Sequence, residues 1–255
     1  MTIADDLSIQ LFSLRAYGDL DRQLAALAEL GFRRVETVGG QLADAQRTRA
    51  LLDANGLSAP TGHIGLDDLR QRFEWVAERA QTVGIEELYM PAVPPQDRDA
   101  PADRWRTIGA ELGEMAERMH ALGLGLGYHN HAWELAPFAD GTTPLAHLFD
   151  GAAGSRLTFE ADVAWLVRGG ADPVAWMERE AARLTSVHVK DIARAGENLD
   201  EDGWADIGKG VLDWPMLWRE ARGRGAKWMV LEHDKPSDPI RFAGDSRRHL
   251  IAALG

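Results

Sequence analysis

The sequence predicts an α/β protein that folds as a single (β/α)8 TIM barrel over residues 1–255. Strand-like apolar runs alternate about eight times with amphipathic helical stretches, and glycines follow several of the helices. No proline-rich or low-complexity linker divides the chain. Strand–helix alternation implies parallel strands joined by right-handed crossovers, and the length is usual for such a barrel. A doubly wound open sheet is the alternative fold.

The predicted strands are short segments, several of them closed by ionisable residues. They are expected at 7–12, 34–36, 58–61, 87–90, 124–130, 157–162, 187–191 and 227–232. Period-2 alternation places Thr158, Glu160 and Asp162 on one face of the sixth strand. It places His188 and Lys190 together on one face of the seventh strand.

The predicted helices are marked by caps and stops. Asp19 is the expected N-cap of a helix that ends at Gly31, and Asp238 with Pro239 begins the last helix. The intervening helices are expected near 43–55, 69–83, 105–119, 144–149, 163–173, 173–183 and 214–222.

Composition narrows the class of protein. The absence of cysteine excludes disulfides, thiolate metal sites and a cysteine nucleophile, and it suits a reducing cytoplasm. The net charge of −12 argues against nucleic-acid or anionic-membrane partners. No apolar run reaches the roughly 20 residues of a membrane span. We therefore expect a cytoplasmic protein with a small-molecule partner, and the sequence leaves a homo-oligomer open.

Ionisable side chains end several predicted strands, and the carboxyl ends of parallel barrel strands meet at one mouth. Carboxylates mixed with imidazoles, without sulfur, favour a divalent ion such as Mn²⁺, Mg²⁺, Co²⁺ or Zn²⁺. Burying several such groups without a cation or a tight hydrogen-bonded network would be costly. The candidates are Glu36, His63, His129, His131, Glu134, Glu160, Asp162, His188, Lys190, Glu232 and His233.

Five phrases of the sequence carry a family resemblance. They are Tyr128-His129-Asn130-His131 followed by Glu134, Asp162-Val163-Ala164-Trp165 with Gly170-Ala171-Asp172-Pro173, His188-Val189-Lys190-Asp191, Gly208-Lys209-Gly210 with Asp213-Trp214, and Leu231-Glu232. These phrases resemble the sugar phosphate isomerase/epimerase family of xylose isomerase-like TIM barrels. That superfamily also includes inosose dehydratases, ketose 3-epimerases and endonuclease IV. The resemblance covers most of residues 7–236.

The resemblance implies one divalent metal ion, with Mn²⁺ favoured, held by four side chains. Three of them are Asp162, His188 and Glu232. The fourth is Glu134 or His129. Glu134 is preferred, because a third carboxylate suits Mn²⁺ and leaves His129 free to move protons.

Two residues depart from the family pattern near the mouth. Lys209 stands where relatives often carry an acid, and His233 stands where they often carry glutamine. Both departures bear on which substrate the site accepts.

The implied chemistry is proton transfer next to a polarised carbonyl. A divalent ion stabilises the enediolate that forms when a hydroxy-ketone loses its neighbouring C–H proton. Returning the proton to another carbon isomerises the substrate, and returning it from the opposite face epimerises it. His129, Lys190 and Glu160 are the candidate catalytic proton carriers, with His129 expected to be the base. Each also has a structural alternative, as a hydrogen-bond or salt-bridge partner.

The remaining candidates would bind the substrate. Glu36 and His63 are expected to contact its hydroxyls or to act as further acid/base groups. His131 is a third substrate-binding candidate. Trp133 and Trp165 would wall the pocket against a sugar's apolar face, with packing in the core as the alternative for each.

The leading hypothesis is a metal-dependent isomerase or epimerase that acts on a keto-sugar or related polyol. The alternative is a metal-dependent lyase, either an inosose-type dehydratase or an enzyme that cleaves a 3-keto-glycoside. A nuclease of the endonuclease IV type is disfavoured by the charge of −12 and the single-metal ligand set. A non-catalytic sugar-binding barrel would keep the pocket without the metal.

Overall fold

The structure, a computed structural model, describes residues 3–255. Met1 and Thr2, which the single-domain prediction also covers, lie outside this range. The described chain forms one parallel sheet of eight strands in the order β1-β8-β7-β6-β5-β4-β3-β2. The strands are β1 (Leu7–Ile9), β2 (Arg34–Thr37), β3 (Ser58–His63), β4 (Glu87–Met90), β5 (Gly125–His129), β6 (Thr158–Asp162), β7 (Leu184–Val189) and β8 (Trp228–Leu231). The predicted TIM barrel is confirmed.

The barrel closes along a seam between β1 and β2. Within residues 3–255 one isolated parallel bridge crosses this seam, between Gln10 and Glu36. The Gln10 side chain reinforces it, because its Nε2 donates to Glu36 Oε1 at 2.7 Å. On the other side, the Gln10 amide donates to the Leu231 carbonyl at 2.9 Å.

Helices surround the sheet and bury their apolar faces against it. The α-helices are Ile3–Asp6, Leu20–Glu29, Ala45–Ala54, Leu66–Gln71, Phe73–Val83, Ala102–Ala121, Pro144–Gly151, Val163–Arg168, Pro173–Arg179, Trp214–Gly223 and Pro239–Leu254. Both predicted N-caps are confirmed: Asp19 accepts from the Arg22 amide at 3.1 Å, and Asp238 accepts from the Ile240 amide at 3.0 Å. Among the described residues, none of the helices has the length and apolarity needed to cross a membrane.

The chain after β7 departs from the prediction. The strand was expected to continue to Asp191, but Asp191–Ile192 pairs instead with Trp204–Ala205 in a short antiparallel ladder. The Asp191 carboxylate explains the departure, because it accepts hydrogen bonds from the amides of Gly208 and Leu212 at 3.1 Å each. These bonds hold the loop that follows β7 and draw Asp191 out of the barrel sheet.

The barrel interior is polar at both ends. At the amino-terminal end, the Glu87 carboxylate accepts hydrogen bonds from Thr158 Oγ1 at 2.5 Å and Thr185 Oγ1 at 3.0 Å. Tyr89 Oη lies 2.9 Å from Thr185 Oγ1. Burial raises the pKa of the Glu87 carboxyl. This end of the barrel is therefore a hydroxyl–carboxyl network.

Candidate active site

The ionisable residues predicted at strand ends converge at the carboxyl-terminal mouth of the barrel. A cavity of about 340 Å³ opens there. Among the described residues, its lining includes His63, His129, His131, Glu232 and Asp234. Strands β3, β5 and β8 thus bring their ends to one chamber, as the parallel topology requires.

Four buried side chains form what we call the outer group: His129, Asp162, His188 and Glu232. Each offers one nitrogen or oxygen, and these atoms lie within 4.8 Å of one another. His188 Nδ1 is 2.8 Å from Glu232 Oε2 and 4.0 Å from Asp162 Oδ2. His129 Nε2 is 3.9 Å from the same Asp162 oxygen. The group opens to the cavity through His129 and Glu232.

Lys190 lies against the carboxylates of this region. Its Nζ is 2.8 Å from Asp162 Oδ2, 2.7 Å from Glu232 Oε2 and 3.1 Å from Asp234 Oδ1. Burial works to lower the pKa of Lys190, but the carboxylates of Asp162, Asp234 and Glu232 outweigh it and raise that pKa. The two imidazoles and two carboxylates of the outer group, with no sulfur donor, fit a divalent cation.

A deeper carboxylate, Glu160, holds the histidines from behind. Glu160 Oε2 is 2.6 Å from His63 Nε2, 3.0 Å from His129 Nδ1 and 3.1 Å from His188 Nε2. Burial acts to raise the pKa of Glu160, but His188, His63 and His129 hold it well below its usual value. The set of His63, His129, Glu160 and His188 also brings its ligand atoms within 4.8 Å of one another. Two overlapping groups of potential metal ligands therefore share two histidines.

Glu36 adds a second carboxylate at this depth. Its Oε1 lies 2.8 Å from His188 Nε2 and 3.3 Å from His63 Nε2. Burial acts to lower the pKa of His188, but Glu160, Glu232 and Glu36 together raise it well above its usual value. Glu36 is fully buried, so its contacts are with the histidines and with Gln10.

Glu134 and His129 occupy different environments. Glu134 Oε1 accepts from the Tyr128 hydroxyl at 2.6 Å, and Oε2 accepts from the His131 amide at 2.9 Å. Burial raises the pKa of Glu134 to about 7. Both of its oxygens are thus engaged outside the outer group, and His129 takes the fifth-strand position in that group.

Aromatic rings line one wall of the mouth. His131 stacks on Trp133 with ring centroids 4.1 Å apart, and both residues line the cavity. Trp165 packs 5.5 Å from His131 and 4.7 Å from Trp204. Arg98 covers the Trp133 ring, with its guanidinium carbon 4.1 Å from the ring centroid. Trp165 therefore supports the wall, and Trp133 forms its surface.

Neither of the two departures from the family pattern, Lys209 and His233, lines the chamber. Lys209 pairs with Asp206 at 3.0 Å and Asp245 at 2.9 Å on the surface. His233 is fully buried, and its Nδ1 accepts from the Lys235 amide at 3.1 Å. Lys209 and His233 are both absent from the described residues that line the cavity.

Three residues of the site were not singled out from the sequence. Gln10 fixes Glu36, Ser186 Oγ donates to Glu160 Oε1 at 2.7 Å, and Asp234 pairs with Lys190. Period-2 alternation carried a signal for one of them, because Ser186 precedes His188 by two on one strand. Asp234 follows Glu232 by two, but beyond the end of β8, where alternation no longer decides direction.

Comparisons with known proteins agree with the fold. A model of the xylose isomerase-like TIM barrel family matches residues 24–253. A sugar phosphate isomerase/epimerase from Parabacteroides distasonis ATCC 8503 aligns with a TM-score of 0.80 at 21% identity, covering 99% of this chain and 95% of that one. The IolI protein, solved with a zinc atom, aligns with a TM-score of 0.77 at 11% identity over 98% of each chain.

One curated relative is similar in sequence. The rhizopine catabolism protein MocC of Rhizobium meliloti is 27% identical over 164 residues. The match covers 58% of this chain and 49% of the relative, so the chain spans about half of the relative's length.

Proposed function

The chain belongs to the xylose isomerase-like TIM barrel family, and from this we propose that it is a divalent-metal-dependent isomerase or epimerase of a keto-sugar or related polyol. The outer group carries the proposal, because its four donor atoms lie within 4.8 Å of one another and two of its residues, His129 and Glu232, line the cavity. The cavity of about 340 Å³ is in the range of small-ligand sites. The stacked pair of His131 and Trp133 offers an aromatic wall to a sugar ring.

His129, Asp162, His188 and Glu232 would hold the cation. This set revises our sequence-based preference for Glu134, whose two oxygens are engaged by Tyr128 and by the His131 amide. Two imidazoles with two carboxylates suit Mn²⁺, Co²⁺ and Zn²⁺ better than Mg²⁺. The zinc atom in the IolI structure supports a metal in this fold. When bound, the cation would polarise a carbonyl and stabilise the negative charge of a deprotonated substrate.

We assign the proton transfer to His63. It lines the cavity, and its Nε2 is held 2.6 Å from Glu160 Oε2. In the neutral ring with its proton on Nε2, the lone pair lies on Nδ1, which makes no hydrogen bond within residues 3–255 and can accept the substrate proton. The tie to Glu160 fixes the ring in the orientation that a general base needs.

The earlier candidates suit other roles. His129 is committed to the outer group, Lys190 contacts three carboxylates, and Glu160 is fully buried behind the histidines. Lys190 would orient these carboxylates. Proton transfer at the cavity is assigned to His63. Loss of a β-hydroxyl from the same deprotonated substrate would give the lyase reaction, so the products decide between the two classes.

The test combines metal analysis with a panel of keto-sugars incubated in heavy water. We expect one divalent ion per chain, deuterium at the carbon next to the carbonyl, and isomeric products. Release of water or an aglycone would assign the lyase reaction. A protein that binds no metal and turns over no member of the panel would contradict the proposal and favour a binding barrel.

The same analysis identifies the fourth ligand. His129→Ala should lose the metal, and Glu134→Gln should keep it, because Glu134 points its oxygens at Tyr128 and the His131 amide. Metal loss in Glu134→Gln with retention in His129→Ala would restore Glu134 as the ligand.

A further inference from the structure

One oxygen of Glu160 serves three imidazoles at once. Glu160 Oε2 lies 2.6, 3.0 and 3.1 Å from ring nitrogens of His63, His129 and His188, respectively. The other oxygen accepts from Ser186 Oγ at 2.7 Å, and the side chain is fully buried. Solvent therefore does not compete for this carboxylate, and its orientation is fixed by the protein.

The nitrogens that face Glu160 are the ones that the outer group does not use. A neutral imidazole has one N–H and one lone pair, on different nitrogens. His129 presents Nε2 to the outer group and Nδ1 to Glu160. His188 does the reverse, presenting Nδ1 to Glu232 and Nε2 to Glu160.

We propose that Glu160 is a positioning residue that fixes the Nδ1–H tautomer of His129 and, together with Glu36, the Nε2–H tautomer of His188. Both lone pairs then point into the outer group. This inference rests on the proposed metal-binding function of the outer group. It identifies Glu160 as the residue that orients the histidine ligands of that group. Metal-bound histidines commonly donate their second N–H to a carboxylate, and losing that partner typically costs roughly 10–100-fold in metal affinity.

The alternative use of Glu160, as a ligand of its own metal ion, conflicts with the shared histidines. His129 and His188 belong to both sets of four, and while neutral each offers a lone pair to one set only. Of the two sets, only the outer group contains Glu232, a carboxylate that lines the cavity. One metal ion per chain, with Glu160 behind its ligands, follows.

The two histidines depend on Glu160 to different extents. His188 Nε2 has a second acceptor, because Glu36 Oε1 lies 2.8 Å away. For His129 Nδ1, Glu160 is the one acceptor among the described residues. Loss of the Glu160 carboxylate should therefore release the ring of His129 and leave that of His188 held.

The experiment compares Glu160→Gln with Glu87→Gln, a control that removes a buried carboxylate at the other end of the barrel. Zn²⁺ and Mn²⁺ affinities are measured by competition with a chromophoric chelator. Tautomers of the ring nitrogens are read from long-range ¹H–¹⁵N spectra of metal-free and Zn²⁺-loaded protein. We expect Glu160→Gln to bind metal roughly 10–100-fold more weakly and Glu87→Gln to bind as the wild type does.

The spectra sharpen the result. Zn²⁺-loaded wild type should show Nδ1–H in His129 and Nε2–H in His188. In metal-free Glu160→Gln, His129 should become a mixture of tautomers. Unchanged affinity with unchanged tautomers would overturn the inference. So would a wild type with two ions per chain, one of which is lost in Glu160→Gln, because Glu160 would then be a ligand.

Failure of the proposed function would look different. A wild type without affinity for divalent ions would refute the metal centre, and the tautomer of His129 in metal-free protein would still test the role of Glu160. If Glu160→Gln does not fold, Ser186→Ala replaces it. That variant removes the hydroxyl that holds Glu160 Oε1 and should weaken metal binding by a smaller factor.

Discussion

The two ends of the barrel interior each bury a glutamate, and they treat its charge in opposite ways. Glu87, at the amino-terminal end, accepts hydrogen bonds from hydroxyls, and burial raises its pKa. Glu160 lies two residues beyond Thr158 on the same face of β6, and three imidazoles hold its pKa well below the usual value against the effect of burial. A hydroxyl can hydrogen-bond to a neutral carboxyl group or to a carboxylate, whereas a protonated imidazole stabilises the charged carboxylate. The partners of a buried acid, more than its depth, thus distinguish the functional end.

The largest expected difference between the ends follows from neutralising one carboxylate at each. Asp162→Asn weakens an oxygen donor of the outer group, so metal affinity should fall by more than the roughly 100-fold typical of losing an outer partner. Glu87→Gln should keep the metal. Metal content after desalting measures both, and metal loss in Glu87→Gln would break the comparison.

A second prediction sharpens the comparison within the functional end. His63→Gln should slow exchange of the substrate α-proton with solvent deuterium by roughly 10²–10⁴-fold, the usual cost of losing a general base. Its metal content should match that of the wild type, because His63 stands outside the outer group. Wild-type exchange in this variant would show that the ring of His63 binds substrate without moving its proton.

The smallest expected effect concerns stability at the amino-terminal end. The folded-state pKa of Glu87 is raised, so its stabilising contribution is full below the unfolded pKa and is lost as pH rises through the folded pKa. Each unit of that shift is worth about 1.4 kcal/mol. Glu87→Gln has no carboxyl to ionise at this position, so it should not show this pH-dependent loss. The difference between the free energies of unfolding of the variant and the wild type should therefore shift in favour of the variant as pH rises from acidic to neutral. Denaturant titrations across that range measure it, and parallel profiles would contradict the assignment.

The sequence predicted the barrel well because short strand-like segments alternate with amphipathic helices whose caps and glycine stops are recognisable. Alternation also placed Thr158, Glu160 and Asp162 on one face of β6, and all three do make interior contacts. Alternation does not encode depth, however. Glu160, two residues before Asp162 on β6, lies deeper in the barrel and contacts imidazoles, whereas Asp162 contacts Lys190.

The uncertain parts of the site depend on turns and rotamers. Glu134 lies in a short 3-10 turn, Trp133–Leu135, that directs its oxygens to Tyr128 and the His131 amide. Lys190 lies one residue beyond the observed end of β7, and its reach to three carboxylates depends on side-chain rotamers. Hydrophobic periodicity carries no information about such choices. The fifth-strand ligand and the proton carrier were accordingly the points on which sequence patterns were weakest.

The seam of the barrel has a consequence for anyone who wishes to redesign the pocket. Gln10 and Glu36 join β1 to β2 through both backbone and side chain, and the same Glu36 oxygen contacts His188. Glu36 therefore both closes the barrel and contacts a histidine of the candidate site. A library of variants at position 36 would therefore change the stability of the β1–β2 closure as well as substrate specificity. Diversity is better introduced at the aromatic wall, where Trp133 contributes surface without closing the sheet.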